Sequence, residues 1–345
     1  MLKSTATCRI LQFSRRNCIP DRGQPALAAI GAALIALCLW FGGVSVVRAG
    51  EVVIDLRGQP AGSLRHDGGE DPFAPLPTPS YRATGEATLT QVKVSPWPPV
   101  QGQTLVVSVK AQEPVTFTLT FGGRPYTVHS AAGTGWSLVP VPPLMSPGYV
   151  PLLLGAGDQR FLLNIPVRDG RFDTFNIPAS SAAPILSNAE KVNAEAARMA
   201  ELFAGVTDEG WNPLHRFAPP LRGELRHTSP YGSRRTYGNN PAVSAHAGED
   251  YGASAGTPVY APAAGRVVLA ETLFVRGNAV VLDHGNGVFT GYWHLSTLDV
   301  QPGEGVVRGQ LLGKVGSTGL STGAHLHWEL RIAGMAVDPL QWIRQ

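Results

Sequence analysis

The feature that most constrains this chain is a glycine-rich loop near the C-terminal end that leads into alternating polar and apolar residues. The loop spans residues 316–323, and after it His325 and His327 alternate with Leu326 and Trp328. Alternation with a period of two predicts a β-strand, on which residues two apart project from the same face. We therefore expect the imidazoles of His325 and His327 to lie side by side, where a metal ion or a proton-transfer role would account for them.

A second fragment upstream adds a histidine and a carboxylate at even spacing. It is the run HAGED, in which His246 and Asp250 share a face if the run is extended. Together with one imidazole of the later strand, they would make a three-ligand zinc site with water in the fourth position. That arrangement is typical of catalytic zinc, since structural zinc usually has four protein ligands. Spacing alone leaves open which of His325 and His327 would be the ligand.

These motifs resemble those of the LytM/lysostaphin-type zinc metallopeptidases of family M23. The resemblance covers about residues 223–342 and includes HxGxD at 246–250 and GSTGxSTGxHLH at 316–327. A His-x-His pair alone would be weakly specific, but the intermediate pieces match too. These pieces are TSPYG at 228–232, GTPVYA at 256–261, DHG at 283–285 and YWHL at 292–295.

The resemblance implies a role for each of five residues. His246, Asp250 and His327 would hold one zinc ion per chain, and His294 and His325 would act in catalysis. All five positions are occupied in this sequence, whereas many relatives that lost activity and serve as activators lack some of them. The implied fold is a compact, mainly antiparallel β-domain with the metal groove on one sheet face.

The implied activity is that of a zinc-dependent endopeptidase that hydrolyses peptide bonds in the stem or cross-bridge of bacterial peptidoglycan. Zinc lowers the pKa of its bound water to about 7 and polarises a carbonyl. Two histidines would assist by moving protons and stabilising the oxyanion, with the assignment between them left open. One alternative is a catalytically silent wall-binding or amidase-activating protein. Another is a zinc peptidase that acts on secreted proteins.

The beginning of the chain predicts export. Six of the 28 Lys and Arg residues but one of the 25 Asp and Glu residues precede Gly50, so the net charge of +3 comes from this segment. No basic stripe indicates nucleic acid. Residues 26–47 are almost wholly apolar, which predicts a signal peptide or an N-terminal membrane anchor within 1–49 and an extracytoplasmic location: periplasm, cell envelope or secreted. All three cysteines lie in this segment, so we expect neither disulfides nor thiol catalysis.

The remaining residues predict a mainly β protein. Val115, Phe117, Leu119 and Phe121 alternate with threonines, and similar runs, including 126–129, recur between turn residues. The predicted regions are a Pro/Gly-rich linker at 50–84, a small Ig-like β-sandwich at 85–175, a second linker at 176–222 and an antiparallel peptidase domain at 223–345. We expect the peptidase domain to fold without the residues that precede it.

Two local features complete the prediction. Residues 187–190 resemble a capping box, which predicts a helix over about 187–203 with an apolar stripe of Val192, Ala196, Met199 and Phe203. HGNG at 284–287 predicts a hairpin turn, with His284 as a surface residue of that turn.

Overall fold

The computed structural model describes residues 50–56, 81–84, 88–178, 187–205, 216–237 and 240–343. The predicted signal peptide or anchor at 1–49 lies outside these ranges. Within them, no helix is both long and apolar enough to cross a membrane. The predicted fold class, mainly β, is confirmed: the described residues contain one α-helix, and most of their regular structure is strand.

The first part of the structure is a β-sandwich of two five-stranded sheets. The sheets have the orders β1-β3-β4-β8-β7 and β2-β10-β9-β5-β6, and every pair is antiparallel. The strands are β1 (Val52–Asp55), β2 (Tyr81–Thr84), β3 (Leu89–Ser95), β4 (Thr104–Ala111), β5 (Phe117–Phe121), β6 (Arg124–Tyr126), β7 (His129–Ala131), β8 (Thr134–Pro140), β9 (Gly148–Ala156) and β10 (Gln159–Val167).

The alternation that predicted the sandwich also explains its core. Phe117, Leu119 and Phe121 of β5 are buried between the sheets, whereas Thr118 is exposed. Apolar residues of both sheets meet them in one cluster. Burial of alternate side chains therefore fixes which face of each strand points inward.

The sandwich differs from the prediction in two places. Strands β1 and β2 lie in the region predicted to be a linker, and the alternating Val52 and Ile54 of β1 are fully buried. The predicted run 126–129 is not one strand, because β6 ends at Tyr126 in one sheet and β7 begins at His129 in the other. The many Pro and Gly residues around β1 and β2 favoured a linker over strands. The passage of the chain from one sheet to the other between β6 and β7 has no periodic pattern that the sequence could reveal.

The remaining described residues form a ten-stranded antiparallel sheet, a small three-stranded sheet and one α-helix. The ten-stranded sheet, called the C-terminal sheet here, has the main order β12-β15-β22-β19-β18-β17-β20, with β16, β21 and β23 paired beside it; the small sheet has the order β11-β13-β14. The elements are β11 (Thr174–Ile177), α1 (Ala189–Ala204), β12 (His227–Ser229), β13 (Arg234–Tyr237), β14 (Asn240–Ala245), β15 (Gly248–Gly252), β16 (Pro258–Tyr260), β17 (Gly265–Leu273), β18 (Gly277–Asp283), β19 (Val288–Leu298), β20 (Gly305–Val306), β21 (Leu311–Val315), β22 (His325–Ile332) and β23 (Met335–Val337).

Helix α1 packs on the C-terminal sheet. Met199 and Phe203 are buried against a cluster that includes Phe289 and Trp293 of β19. The predicted stripe is confirmed at these two helix residues, but Ala196 is exposed and Glu195 is buried in its place.

The capping box predicted at the start of this helix is wrong. Asn188 occupies the N-cap position and makes no side-chain capping hydrogen bond. Its amide donates to the Ser187 hydroxyl.

The hairpin turn at 284–287 forms, but His284 is not on the surface. Asn286 has φ +56° and the neighbouring glycines Gly285 and Gly287 also have positive φ, as such turns require. His284 is 3% exposed, its Nδ1 donates to the Ala264 carbonyl at 2.7 Å, and its Nε2 accepts from Thr290 Oγ1 at 2.8 Å. Two hydrogen-bond partners compensate the imidazole for the loss of water.

Candidate metal centre

The predicted site residues lie on adjacent strands of the C-terminal sheet. In the pairing of β15 with β22, Asp250 lies opposite His327, and in the pairing of β19 with β22, Trp293 lies opposite His327. His246 follows the last residue of β14. The alternation in β22 is confirmed, because Leu326 and Trp328 are buried in the core while the histidines are half-buried on the opposite face.

The three predicted ligands converge on one point. His327 Nδ1 lies 2.8 Å from Asp250 Oδ1 and 3.0 Å from His246 Nε2, and His246 Nε2 lies 3.3 Å from Asp250 Oδ1. Among the described residues this is the one group of three or more His, Cys, Asp or Glu side chains whose ligand atoms gather in this way. Two imidazole nitrogens and one carboxylate oxygen form a donor set that suits zinc.

The surroundings of His246 and His327 orient them for a cation. His246 Nδ1 donates to the Pro230 carbonyl at 3.0 Å, so the lone pair of the imidazole is on Nε2, which faces Asp250 and His327. The His327 ring lies against Gly248, where a Cβ would be 2.6 Å from Nε2. A backbone carbonyl that fixes one ring nitrogen and directs the other is the usual support of a metal-binding histidine.

A buried carboxylate that the sequence analysis missed holds this support in place. Glu249 is 1% exposed, and its Oε2 accepts from the Tyr231 N–H at 2.9 Å while its Oε1 pairs with His227 Nδ1 at 2.7 Å. Tyr231 directly follows Pro230, whose carbonyl binds His246. Glu249 therefore fixes the loop that orients a predicted ligand. In the sequence, Glu249 stands next to Asp250 in the HAGED run, and its partner Tyr231 belongs to the TSPYG motif at 228–232.

Charge and burial favour the protonation states that metal binding needs. Burial alone would raise the pKa of Asp250, but the adjacent His246 and His327 side chains outweigh it and hold that pKa far below its ordinary value. Burial lowers the pKa of His327. An ionised carboxylate and neutral imidazoles are the states in which these side chains bind a metal ion.

The two further histidines stand beside this group. The ring centroid of His294 lies 4.8 Å from that of His325 and 6.4 Å from that of His327. His294 Nδ1 donates to the Thr318 carbonyl and His325 Nδ1 to the Gly323 carbonyl, both at 2.8 Å. Because a carbonyl only accepts, Nδ1 carries the hydrogen in both rings and Nε2 is left with a lone pair.

His294 is held in an unusual state. Its φ is +65°, in the left-handed region that non-glycine residues rarely occupy, and its N–H donates to the Arg276 carbonyl at 2.8 Å. Burial is the main reason that the pKa of His294 is lowered to about 4; the neighbouring His325 and His327 act in the same direction, and the hydrogen bond to Thr318 acts against them. Its imidazole is therefore neutral at pH 7.

Tyr292, the first residue of the YWHL motif, both packs in the core and forms a hydrogen bond. It is fully buried in the core under the C-terminal sheet, and its hydroxyl lies 2.8 Å from Thr290 Oγ1. In the pairing of β19 with β22 it lies opposite the buried Trp328, so it supports the core of the sheet.

Comparison with known proteins places this part of the chain in one family. The model of peptidase family M23 matches residues 244–339. The peptidoglycan DD-endopeptidase ShyA of Vibrio cholerae serotype O1 is 39% identical over 122 residues, which is 35% of this chain and 28% of ShyA. The murein hydrolase activator EnvC of Escherichia coli is 36% identical over 130 residues, which is 38% of this chain and 26% of EnvC. The matched region thus spans about a quarter of these curated relatives' length.

A solved structure extends the match beyond the site. A crystal structure of a Pseudomonas aeruginosa protein assigned to peptidase M23 superposes with a TM-score of 0.53 at 30% identity, covering 71% of this chain and 94% of that one. An antiparallel sheet that carries a His–Asp–His group and two adjacent histidines defines a metallopeptidase domain. The chain belongs to peptidase family M23.

Proposed function

We propose that this protein is a zinc metalloendopeptidase that hydrolyses peptide bonds in the stem or cross-bridge of bacterial peptidoglycan. The observation that carries the proposal is the convergence of His246, Asp250 and His327 beside His294 and His325. Such an arrangement joins a three-ligand site to two groups that can transfer protons.

His246 Nε2, Asp250 Oδ1 and His327 Nδ1 would hold the zinc ion. The geometry supports them as ligands because their atoms already face one another and the outer nitrogen of His246 is fixed by Pro230. When bound, zinc would lower the pKa of a water molecule and polarise the carbonyl of the substrate. Hydrolysis of an unactivated peptide bond needs both effects.

His294 and His325 would move the protons. Each has a lone pair on Nε2 because its Nδ1 is committed to a backbone carbonyl. Nε2 can accept a proton from the attacking water and, once charged, donate to the oxyanion or to the leaving amine. Fixing both rings by backbone contacts means that little reorganisation is required during the reaction.

The loop at 316–323 and the relatives support the proposed substrate class. The small residues at 316–323 include Thr318, whose carbonyl binds His294, and they would let an extended peptide approach closely. The similarity to the peptidoglycan DD-endopeptidase ShyA supports cleavage of a bond within the peptides of the cell wall. A wall substrate also implies an extracytoplasmic location, in agreement with the leader predicted at 1–49.

Turbidity of purified cell walls tests this proposal. We expect the zinc-loaded protein to clear the suspension, a chelator to stop the clearing, and added zinc to restore it. Casein serves as the control substrate. Clearing of casein instead of walls would support the alternative of a peptidase for secreted proteins.

The similarity to EnvC favours a second candidate function, activation of a separate wall hydrolase. An activator of this kind would stimulate a purified amidase and would tolerate both chelation and substitution of His246. Stimulation of that kind without any clearing by the protein alone would replace the hydrolase proposal. The complete set of five site residues supports the hydrolase.

A further inference from the structure

A buried carboxylate on helix α1 binds a turn of the C-terminal sheet. Glu195 lies among the apolar residues of α1 that face the sheet and is 6% exposed. Its Oε2 accepts from the Val275 N–H at 2.7 Å, and its Oε1 accepts from Arg276 Nη1 at 2.7 Å. Burying a carboxylate is costly unless its oxygens are paired. Here both are paired with two consecutive residues of the turn between β17 and β18, residues 274–276.

The carbonyls of the same two turn residues bind the glycine-rich loop and His294. The Val275 carbonyl accepts from the Leu320 N–H at 2.8 Å, and the Arg276 carbonyl accepts from the His294 N–H at 2.8 Å. Leu320 belongs to the glycine-rich loop at 316–323. The N–H groups of the turn therefore bind Glu195. The carbonyl groups of the same turn bind the loop and His294.

This support matters because His294 is strained. A left-handed φ costs a non-glycine residue about 1–2 kcal/mol, so it persists only where neighbouring contacts impose it. The contacts here are the Arg276 carbonyl on the His294 N–H and the Thr318 carbonyl on Nδ1. The Arg276 guanidinium also lies over the ring of Trp293, 5.2 Å from its centroid.

We propose that Glu195 is a positioning residue for the active centre. By fixing the β17–β18 turn, it keeps the strained His294 and the 316–323 loop in the geometry required for turnover, although Glu195 itself does not touch substrate. Helix α1 then contributes to the geometry of the active centre and does not only connect two domains. This inference rests on the proposed hydrolase function.

Two substitutions in the full chain test it, Glu195→Ala and Glu195→Gln. We expect Glu195→Ala to lower kcat on wall substrate by about one to two powers of ten with little change in KM, because small misplacements of reacting groups have effects of this size. Zinc content should stay at the wild-type level, since Glu195 contacts none of the three ligands. Glu195→Gln retains one acceptor oxygen, so its kcat should lie between those of the wild type and Glu195→Ala.

Arg198→Ala is the matched control. Arg198 lies on the same helix, is exposed and pairs with Glu271 of β17. Its substitution removes a helix–sheet ion pair without touching the turn, so kcat should be unchanged. Wild-type kcat in Glu195→Ala, or an equal loss in Arg198→Ala, would overturn the proposal.

Hydrogen–deuterium exchange gives a reading that does not depend on activity. Faster exchange of the His294 and Leu320 amides in Glu195→Ala, with unchanged exchange in the sandwich, is the expected result. Uniformly faster exchange would show a purely structural role and overturn the proposal. If the wild type lacks activity, the proposed function fails, whereas the exchange pattern still decides whether Glu195 positions these amides.

Discussion

The side chains of the metal centre fall into two groups that substitution can separate. His246→Ala or Asp250→Ala removes one of the three proposed ligands and should leave the other two unable to hold the ion, so both zinc and wall hydrolysis should be lost. His294→Ala or His325→Ala leaves the three ligand atoms in place. We expect these variants to keep zinc but to lose about two to four powers of ten in turnover.

Metal analysis of each purified variant, set beside its turnover, checks this division. His129→Ala, a change in the sandwich, is the control and should resemble the wild type in both measurements. A metal-free His294 variant, or wild-type clearing by Asp250→Ala, would show that the ligands are assigned wrongly.

His284 makes stability depend on pH. Burial lowers its pKa from 6.5 to about 4 in the folded protein. Between these values the unfolded chain binds a proton that the folded chain excludes, so the free energy of unfolding should rise with pH from about 4 to 6.5 and then level off. The contribution is on the order of 3 kcal/mol.

Urea unfolding of the metal-free protein at several pH values measures this slope. His284→Gln does not titrate, and it should show a shallower slope than the wild type. Identical slopes would mean that His284 is not the group responsible.

At the scale of elements, periodicity predicted the strands that matter most. The alternation in β22 correctly placed His325 and His327 on one face, and the alternation in β5 correctly placed the sandwich core. The resemblance implied that Asp250 and His327 share a metal ion, but spacing could not predict that they lie opposite each other on neighbouring strands.

What the sequence could not show are contacts between distant segments. Glu195 is 81 residues from Arg276 in the sequence. From the sequence of the helix alone, Glu195 would be predicted to be an exposed charged residue like the others. Likewise, Glu249 and His284 are polar residues whose burial depends on partners elsewhere in the fold. Local patterns predict which face of a strand is apolar, but they do not predict which polar group will find a partner inside.

The turn between β17 and β18 allows a test of how closely its packing controls His294. Gly277 has φ +62°, and a Cβ there would lie 2.3 Å from Thr318, whose carbonyl binds His294. Gly303 has φ +87° with nothing within 4 Å of such a Cβ. Both alanine variants carry the left-handed backbone cost, but we expect only Gly277→Ala to lose turnover, with zinc retained.

Turnover and metal content of the two alanine variants decide this point. Equal turnover in Gly277→Ala and Gly303→Ala would mean that the packing of this turn on Thr318 does not control the active centre.

At the scale of the molecule, residues upstream of 223 are buried against the C-terminal sheet and its neighbours. Met199 and Phe203 of α1 are buried on the C-terminal sheet, and Phe217 is buried beside Trp342. Each fully buried side chain of this kind contributes about 1.5–3 kcal/mol. A chain of residues 187–345 should therefore unfold cooperatively and at a higher temperature than one of residues 223–345.

Thermal unfolding followed by circular dichroism compares the two chains. Equal melting temperatures would restore the boundary at 223 that the sequence predicts. They would also show that α1 adds little to the stability of the C-terminal sheet.

The central claim, that a zinc ion held by His246, Asp250 and His327 enables peptide hydrolysis in the cell wall, is tested most directly by mass spectrometry of wall fragments. Purified cross-linked wall peptides are incubated with the zinc-loaded protein, with and without chelator. The account predicts products that are heavier by one water per cleaved peptide bond, present only when zinc is available. Products that persist unchanged after complete removal of the metal, or no cleavage by the fully zinc-loaded protein, would contradict it.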